Sequence, residues 1–184
     1  NAIELAQAFY RLNAEYSLDS CTKCRHLHGH QGEIIISFEG EGLTNGMLTD
    51  FKHLNWFKKW LDDTLDHKFI MDINDPLFDH EVKDPIMDMM VNFTSKDLLF
   101  EGLIKFKEGY YIINSVWYDD LIAPVREKYE GMVFVDFVPT SENLSKWLFD
   151  IVTEKMKPLL EPLGIKISNL QFFETPKSQS NYFV

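Results

Sequence analysis

The stretch Cys24 to His30, C-R-H-L-H-G-H, runs directly into Glu33 to Phe38, E-I-I-I-S-F, and this junction restricts the possible folds more than any other part of the chain. The second segment is rich in β-branched residues and stops at Gly40, so it predicts a buried strand. On the extended backbone entering that strand, His28 and His30 are one residue apart. Their imidazoles therefore point to the same side, where both can reach one metal ion. Gly29 between them leaves the approach uncrowded. In an arbitrary chain, H-x-H is often no more than two surface histidines. Here a cysteine four residues upstream and a strand immediately downstream weigh toward a chelate.

Cys21 and Cys24 are the only cysteines, too few for a disulfide framework. Cys24 is open to three readings: a third metal ligand, a catalytic thiol, or an inert buried residue. The first two draw on the neighbouring cation to favour the thiolate. With Cys21, His28 and His30 it could also close a structural Cys₂His₂ cage, on loops shorter than those of zinc fingers. A thioredoxin-like pair is disfavoured, because no helical pattern starts at the second cysteine.

The formal net charge of −11 excludes sequence-independent binding to nucleic acid, which needs a basic stripe to displace counterions. Any anionic substrate must be met by local cations or a metal. A hydrophobic content of 45% in 184 residues supports one packed globular domain. No stretch approaches the roughly 20 uncharged apolar residues that cross a bilayer, and the first residues lack the layout of a secretory signal. A soluble, cytoplasmic protein is expected, with its native N-terminus upstream of Asn1.

Residues 2 to 16 fit either a helix, through Leu5, Ala8, Phe9 and Leu12, or an alternating strand from Phe9 to Tyr16. Gly42, Asn45 and Gly46 mark a turn. Thr49 or Asp50 can cap a helix whose apolar stripe is Phe51, Leu54, Phe57, Leu61 and Leu65, and which delivers Asp66 and His67 at its end. A second helix starts at Pro139-Thr140-Ser141-Glu142, with Thr140 as cap and Glu142 in the first turn; it turns Leu144, Trp147, Leu148, Ile151 and Val152 inward and should end before Pro158. Ile165 to Thr175 predicts a last strand whose alternation slips near Asn169, the mark of a bulge. Pro176 to Val184 is a polar tail, expected to be partly mobile. Between the helices, residues 76 to 135 hold acidic loops and a strand candidate at Tyr110 to Trp117.

Five blocks stand in order: Cys24-x-x-x-His28-Gly29-His30; Gly46-Met47-Leu48-Thr49-Asp50-Phe51; Leu65-Asp66-His67; Pro139-Thr140-Ser141-Glu142-Asn143; and Phe173-Glu174-Thr175. Together they resemble the 6-carboxy-tetrahydropterin and 6-pyruvoyl-tetrahydropterin synthases, and they anchor about two-thirds of the chain. The C-x3-H-G-H spacing is closer to the 6-carboxy enzymes of queuosine biosynthesis. The resemblance implies an α+β tunnelling fold, a four-stranded antiparallel sheet with two helices between its second and third strands. The chain would be one such domain over 1–184, with an insertion at about 76–135 that could cover the site. The N-terminal segment would then be strand from Phe9 onward. Subunits would associate as a trimer or hexamer, with active sites between them.

The resemblance further implies a zinc-dependent carbon–carbon lyase that converts 7,8-dihydroneopterin triphosphate to 6-carboxy-tetrahydropterin, releasing acetaldehyde and triphosphate. Carried over by position, His28 and His30 bind Zn²⁺, Cys24 is the general base, His67 shuttles the proton and Asp66 fixes its tautomer. Glu174 anchors the pterin, and Thr140 and Glu142 lie in a substrate-side block. Without the resemblance, Asp66-His67 reads as a decorated helix end and Glu174 as a charge at a strand end. Two positions depart from the pattern: Val138 precedes the Pro139 block where the family has asparagine, and the other is a zinc ligand. The family's third zinc histidine falls eleven residues before the catalytic cysteine, in F-x-x-x-H, where this chain has Phe9-Tyr10-Arg11-Leu12-Asn13. His26 or Cys21 could substitute, or Asn13 could bind weakly through its amide. The alternatives are a 6-pyruvoyl-tetrahydropterin synthase, or a catalytically silent relative that binds a pterin or purine-like ligand through Glu174.

Overall fold

The computed structural model describes residues 2–7, 26–89 and 102–183. In chain order they form β1 (Ala2–Gln7), β2 (His28–Gly40), a 3₁₀ turn (Phe51–Leu54) leading into α1 (Asn55–Thr64), and β3 (Lys68–Asp72). Then come α2 (Pro76–Phe78), a π-helical turn (Asp79–Lys83), α3 (Asp84–Met89), β4 (Ile104–Lys107), β5 (Tyr110–Ile113), α4 (Ala123–Glu130) and β6 (Met132–Val135). The chain closes with α5 (Ser141–Leu160), β7 (Ile165–Thr175) and β8 (Ser178–Phe183). None of the described helices is long and apolar enough to cross a membrane. Two compact units result, one from Asn1–Leu5, His30–Asp66 and Thr140–Val184, the other from Ala6–Gly29 and His67–Pro139.

In the first unit the strands run in the order β1-β2-β7-β8, and both helices, α1 and α5, fall between β2 and β7 in sequence. This is the tunnelling-fold arrangement that the resemblance implies. β2 and β7 are antiparallel, with Ile34 opposite Phe172 and Ile36 opposite Leu170. Ile34, Leu170 and Phe172 are buried, while Ile35 on the other face is 41% exposed, so β2 is covered on one face only. The slip near Asn169 is a bulge: Ser37 pairs with Asn169 but Phe38 with Ile167, which leaves Ser168 as the extra residue. The extra residue changes parity, so Ile165 and Ile167 below it and Leu170 and Phe172 above it all remain buried.

The helices cover that face. α5 buries Leu144, Trp147, Leu148, Val152 and Met156; α1 contributes Phe57 and Leu61. Trp60 and Trp147 meet edge to face at 5.7 Å, and the Trp56 indole N–H donates to the Met156 sulfur at 3.1 Å. The turn before α1 is built on Asn45 and Gly46, both with positive φ, between Thr44 and Met47, which exchange two backbone hydrogen bonds.

Three expectations change. Phe51 is 79% exposed, because the chain enters α1 through a 3₁₀ turn whose shorter period rotates this residue off the stripe. α5 continues through Pro158 to Leu160: so near the end, the proline forfeits a single intrahelical bond, and the last turn buries Leu160. The polar tail is not mobile but forms β8 against β7, and the Ser180 hydroxyl donates to the Ser141 carbonyl at the start of α5.

The second unit contains the described residues of the inserted segment, which form elements of their own. β3 pairs in parallel with β6, β6 antiparallel with β5 through Phe134 and Tyr111, and β5 with β4. The predicted strand at Tyr110 to Trp117 is shorter; β5 ends at Ile113 and Ser115–Trp117 is a 3₁₀ turn. Met71, Phe78, Val82, Ile86, Ile113 and Phe134 form a core of their own, with Phe78 and Phe134 edge to face at 5.2 Å. The expected strand from Phe9 onward lies outside the described residues; Ala2–Gln7 before it is a strand.

The exposed Phe51 and the buried Phe57 make the test. Phe57→Ala should destabilise the protein by about 3–5 kcal/mol and Phe51→Ala by less than about 0.5 kcal/mol, read from urea midpoints at unchanged slope.

Candidate active site

β2 begins at His28, so alternation places His28, His30, Gly32, Ile34 and Ile36 along one face. That face is the one the helices cover from Ile34 onward, and the histidines extend it beyond the apolar residues. The His28 Nδ1 lies 2.6 Å from the His26 carbonyl oxygen. A carbonyl only accepts, so Nδ1 is the donor in this contact. His26, a possible substitute ligand from the sequence, supplies this carbonyl from its backbone.

His30 Nε2 lies 3.0 Å from Glu174 Oε1, with the side chains 15% and 22% exposed. The register explains the approach. Glu33 is opposite Phe173, so the next step along the two strands sets Glu174 beside Gly32, and His30 is its diagonal neighbour on the same face. Gly32 has no side chain to block that diagonal. On its other side, β7 pairs Phe173 with Gln179 but Thr175 with Ser178, which makes Glu174 the extra residue of a second bulge. The signal for this was present in the sequence, as the second glycine of H-G-H-Q-G, but its use depends on a register visible only in the fold.

Asp66 and His67 follow α1. The Leu65 and Asp66 amides both donate to the Leu61 carbonyl, and His67 then takes a left-handed backbone, φ 58°, before β3. Such a conformation costs a non-glycine residue of order 1 kcal/mol or more and is enriched at functional positions. Asp66 is half-buried and His67 exposed.

Thr140 is seen in a structural role: its Oγ1 accepts from the Asn143 amide at 3.3 Å as the cap of α5. Glu142 is exposed in the first turn, where its charge suits the helix dipole. Asp50, in the second block, accepts from the Lys52 side chain and from the Lys52 amide. These two hydrogen bonds, the side-chain one foremost, hold its carboxyl below the usual value. Cys21, Cys24 and Asn13 lie outside the described residues. Among the described residues no group of three His, Cys, Asp or Glu side chains is gathered as a metal cage. The one donor pair that meets, the His30 imidazole and the Glu174 carboxylate, is of kinds zinc accepts.

Residues 6–183 match the family model described as 6-pyruvoyl tetrahydropterin synthase. A 6-carboxy-5,6,7,8-tetrahydropterin synthase from Aquifex aeolicus is 26% identical over 163 residues, covering 87% of this chain and 75% of its own. A putative enzyme of the same name from Pyrococcus abyssi is 26% identical over 157 residues, covering 85% and 74%. Among solved structures, an uncharacterized protein from Wolinella succinogenes is 38% identical with a TM-score of 0.80, over 99% of this chain and 93% of that one. The 6-pyruvoyl tetrahydropterin synthase of Plasmodium falciparum, at 15% identity and a TM-score of 0.53 over 100% and 92%, shares the fold.

The cap geometry predicts that Thr140→Ala lowers stability by about 1 kcal/mol and that Thr140→Ser restores most of the loss, measured by urea unfolding.

Proposed function

The chain belongs to the 6-pyruvoyl tetrahydropterin synthase family, and from that premise we propose that it is a carbon–carbon lyase of the 6-carboxy-tetrahydropterin type. Its substrate would be 7,8-dihydroneopterin triphosphate, and its products 6-carboxy-tetrahydropterin, acetaldehyde and triphosphate, on the route to queuosine. The observation that carries the reading is the meeting of His30 with Glu174 at 3.0 Å on the face shared with His28. The family resemblance assigns chemistry to these same residues, and the curated relatives with the 6-carboxy name favour that product over the 6-pyruvoyl one.

Each residue has a role suited to its chemistry. His28 and His30 would hold Zn²⁺, which when bound supplies a Lewis acid that makes a C–H beside a coordinated oxygen easier to deprotonate. Cys24 would take that proton as a thiolate. His67 would return a proton to the substrate, with Asp66 holding its imidazole in one tautomer. The Glu174 carboxylate would accept from the pterin N–H and amino groups, two acceptors against adjacent donors. Thr140 and Glu142 would border the substrate from the start of α5. Self-association into a trimer or hexamer, and a cytoplasmic setting, belong to the same proposal. Asn13 favours a second reading, a silent relative that binds pterin without turnover.

Incubation of zinc-loaded protein with dihydroneopterin triphosphate, with products identified by mass, tests the reading. Acetaldehyde with the carboxy-pterin supports it; a pyruvoyl product moves the chain to the sister activity; unchanged substrate with bound pterin supports the silent relative. Cys24→Ala should lower turnover by about 10²-fold or more while leaving zinc per subunit unchanged. Loss of zinc and unfolding in that variant would reveal a structural cage instead.

A further inference from the structure

We propose that Ser180, on the last strand, is a positioning residue for pterin binding. Its hydroxyl fixes the first turn of α5, and with it Thr140 and Glu142, to the strand that flanks Glu174. The inference rests on the pterin reading above and gives a task to a residue outside all five sequence blocks.

β8 is a polar edge strand, yet Ser180 is buried, 8% exposed. It stands opposite Phe172, so its side chain shares the face of that buried ring, the face that α5 covers. There the Ser180 hydroxyl donates to the Ser141 carbonyl. Ser141 lies between Thr140 and Glu142. Its own hydroxyl donates to the Glu142 carboxylate at 3.4 Å, and Thr140 Oγ1 accepts from the Asn143 amide at 3.3 Å. One hydrogen bond therefore ties to β8 the backbone that carries both substrate-side residues.

On the strand side, Phe172 precedes Glu174 by two residues, and β8 passes Glu174 between its pairings with Phe173 and Thr175. The pterin anchor and the α5 block belong to different elements, and a helix end frays unless something holds it. A buried hydroxyl gives up water to make its bond, so its net contribution to stability is small; what it adds is a fixed direction. A second contact joins the same two elements by packing alone. Phe149 and Tyr182 meet at 5.1 Å, about two turns further along α5. Loss of that contact loosens β8 without releasing the first turn, which separates positioning from stability.

The test is the affinity of the full chain for neopterin, a pterin without phosphates, titrated by fluorescence. The variants are Ser180→Ala, Ser180→Thr, Tyr182→Leu and Glu174→Gln, with Tm from circular dichroism for each. Ser180→Ala should bind neopterin about three- to tenfold more weakly, and Ser180→Thr, which keeps the hydroxyl, should bind close to the parent. Tyr182→Leu should lower Tm at unchanged affinity. Ser180→Cys, a weak donor of similar size, takes the place of Ser180→Ala if the latter does not fold. Parental affinity in Ser180→Ala, with binding weakened in Glu174→Gln, overturns the inference and leaves the pterin reading intact. Equal loss of affinity in Tyr182→Leu and Ser180→Ala reduces Ser180 to a structural contact and overturns it too. A parent that does not bind neopterin, or Glu174→Gln with parental affinity, overturns both.

Discussion

Everything at the candidate site depends on the register between β2 and β7. Ile34 against Phe172 and Ile36 against Leu170 set one face of the pair under α1 and α5. A slip of one residue would turn that apolar set to solvent, so the register is held by the burial of several large side chains. The histidines and Glu174 add little to this energy and inherit its precision. They lie on the same alternation, at the end where the apolar residues stop, and their 3.0 Å approach follows from pairings settled in the core. A polar site at the rim of a tightly registered sheet is positioned by a rigid scaffold while its donor atoms remain within reach of a ligand.

The inserted segment follows a different logic. It closes a core of its own around Phe78, Val82, Ile86 and Phe134. A segment of this length without apolar anchors would lose too much chain entropy to stay ordered. The parallel pairing of β3 with β6 ties the first strand of that unit to its last.

Much of this was legible in the sequence. The two long helices, the span of β7 and the bulge near Asn169 were visible as periodicity and its interruption, because each is a local pattern enforced by burial. What stayed hidden depended on nonlocal partners. Phe51 fits the helical period on paper but stands on a 3₁₀ turn, and Pro158 reads as a stop although burial of Leu160 outweighs one lost hydrogen bond. The tail Ser178–Phe183 is polar enough to read as loose, yet an edge strand needs only one apolar side and a partner. The histidine pair and Glu174 were legible as separate motifs. Their proximity was not, since it needed the register.

The two irregularities of β7 differ in what they accomplish. At Ser168 an extra residue restores the inward parity of the apolar residues on both sides, so the bulge serves the core. Glu174 lies beyond the last buried apolar residue of β7, Phe172. A second bulge here gives up regular pairing with β8 and its share of ladder stabilisation. Regular structure relaxed at one carboxylate, beside an imidazole, marks a position where local stability yields to the placement of a charged group. His67 takes its left-handed backbone in the turn that ends α1, where helices commonly adopt it. The other positive-φ residues, Asn45, Gly46, Glu108, Gly109 and Gly164, stand at turns as well, so among the described residues the bulge at Glu174 is the irregularity that coincides with an ion pair.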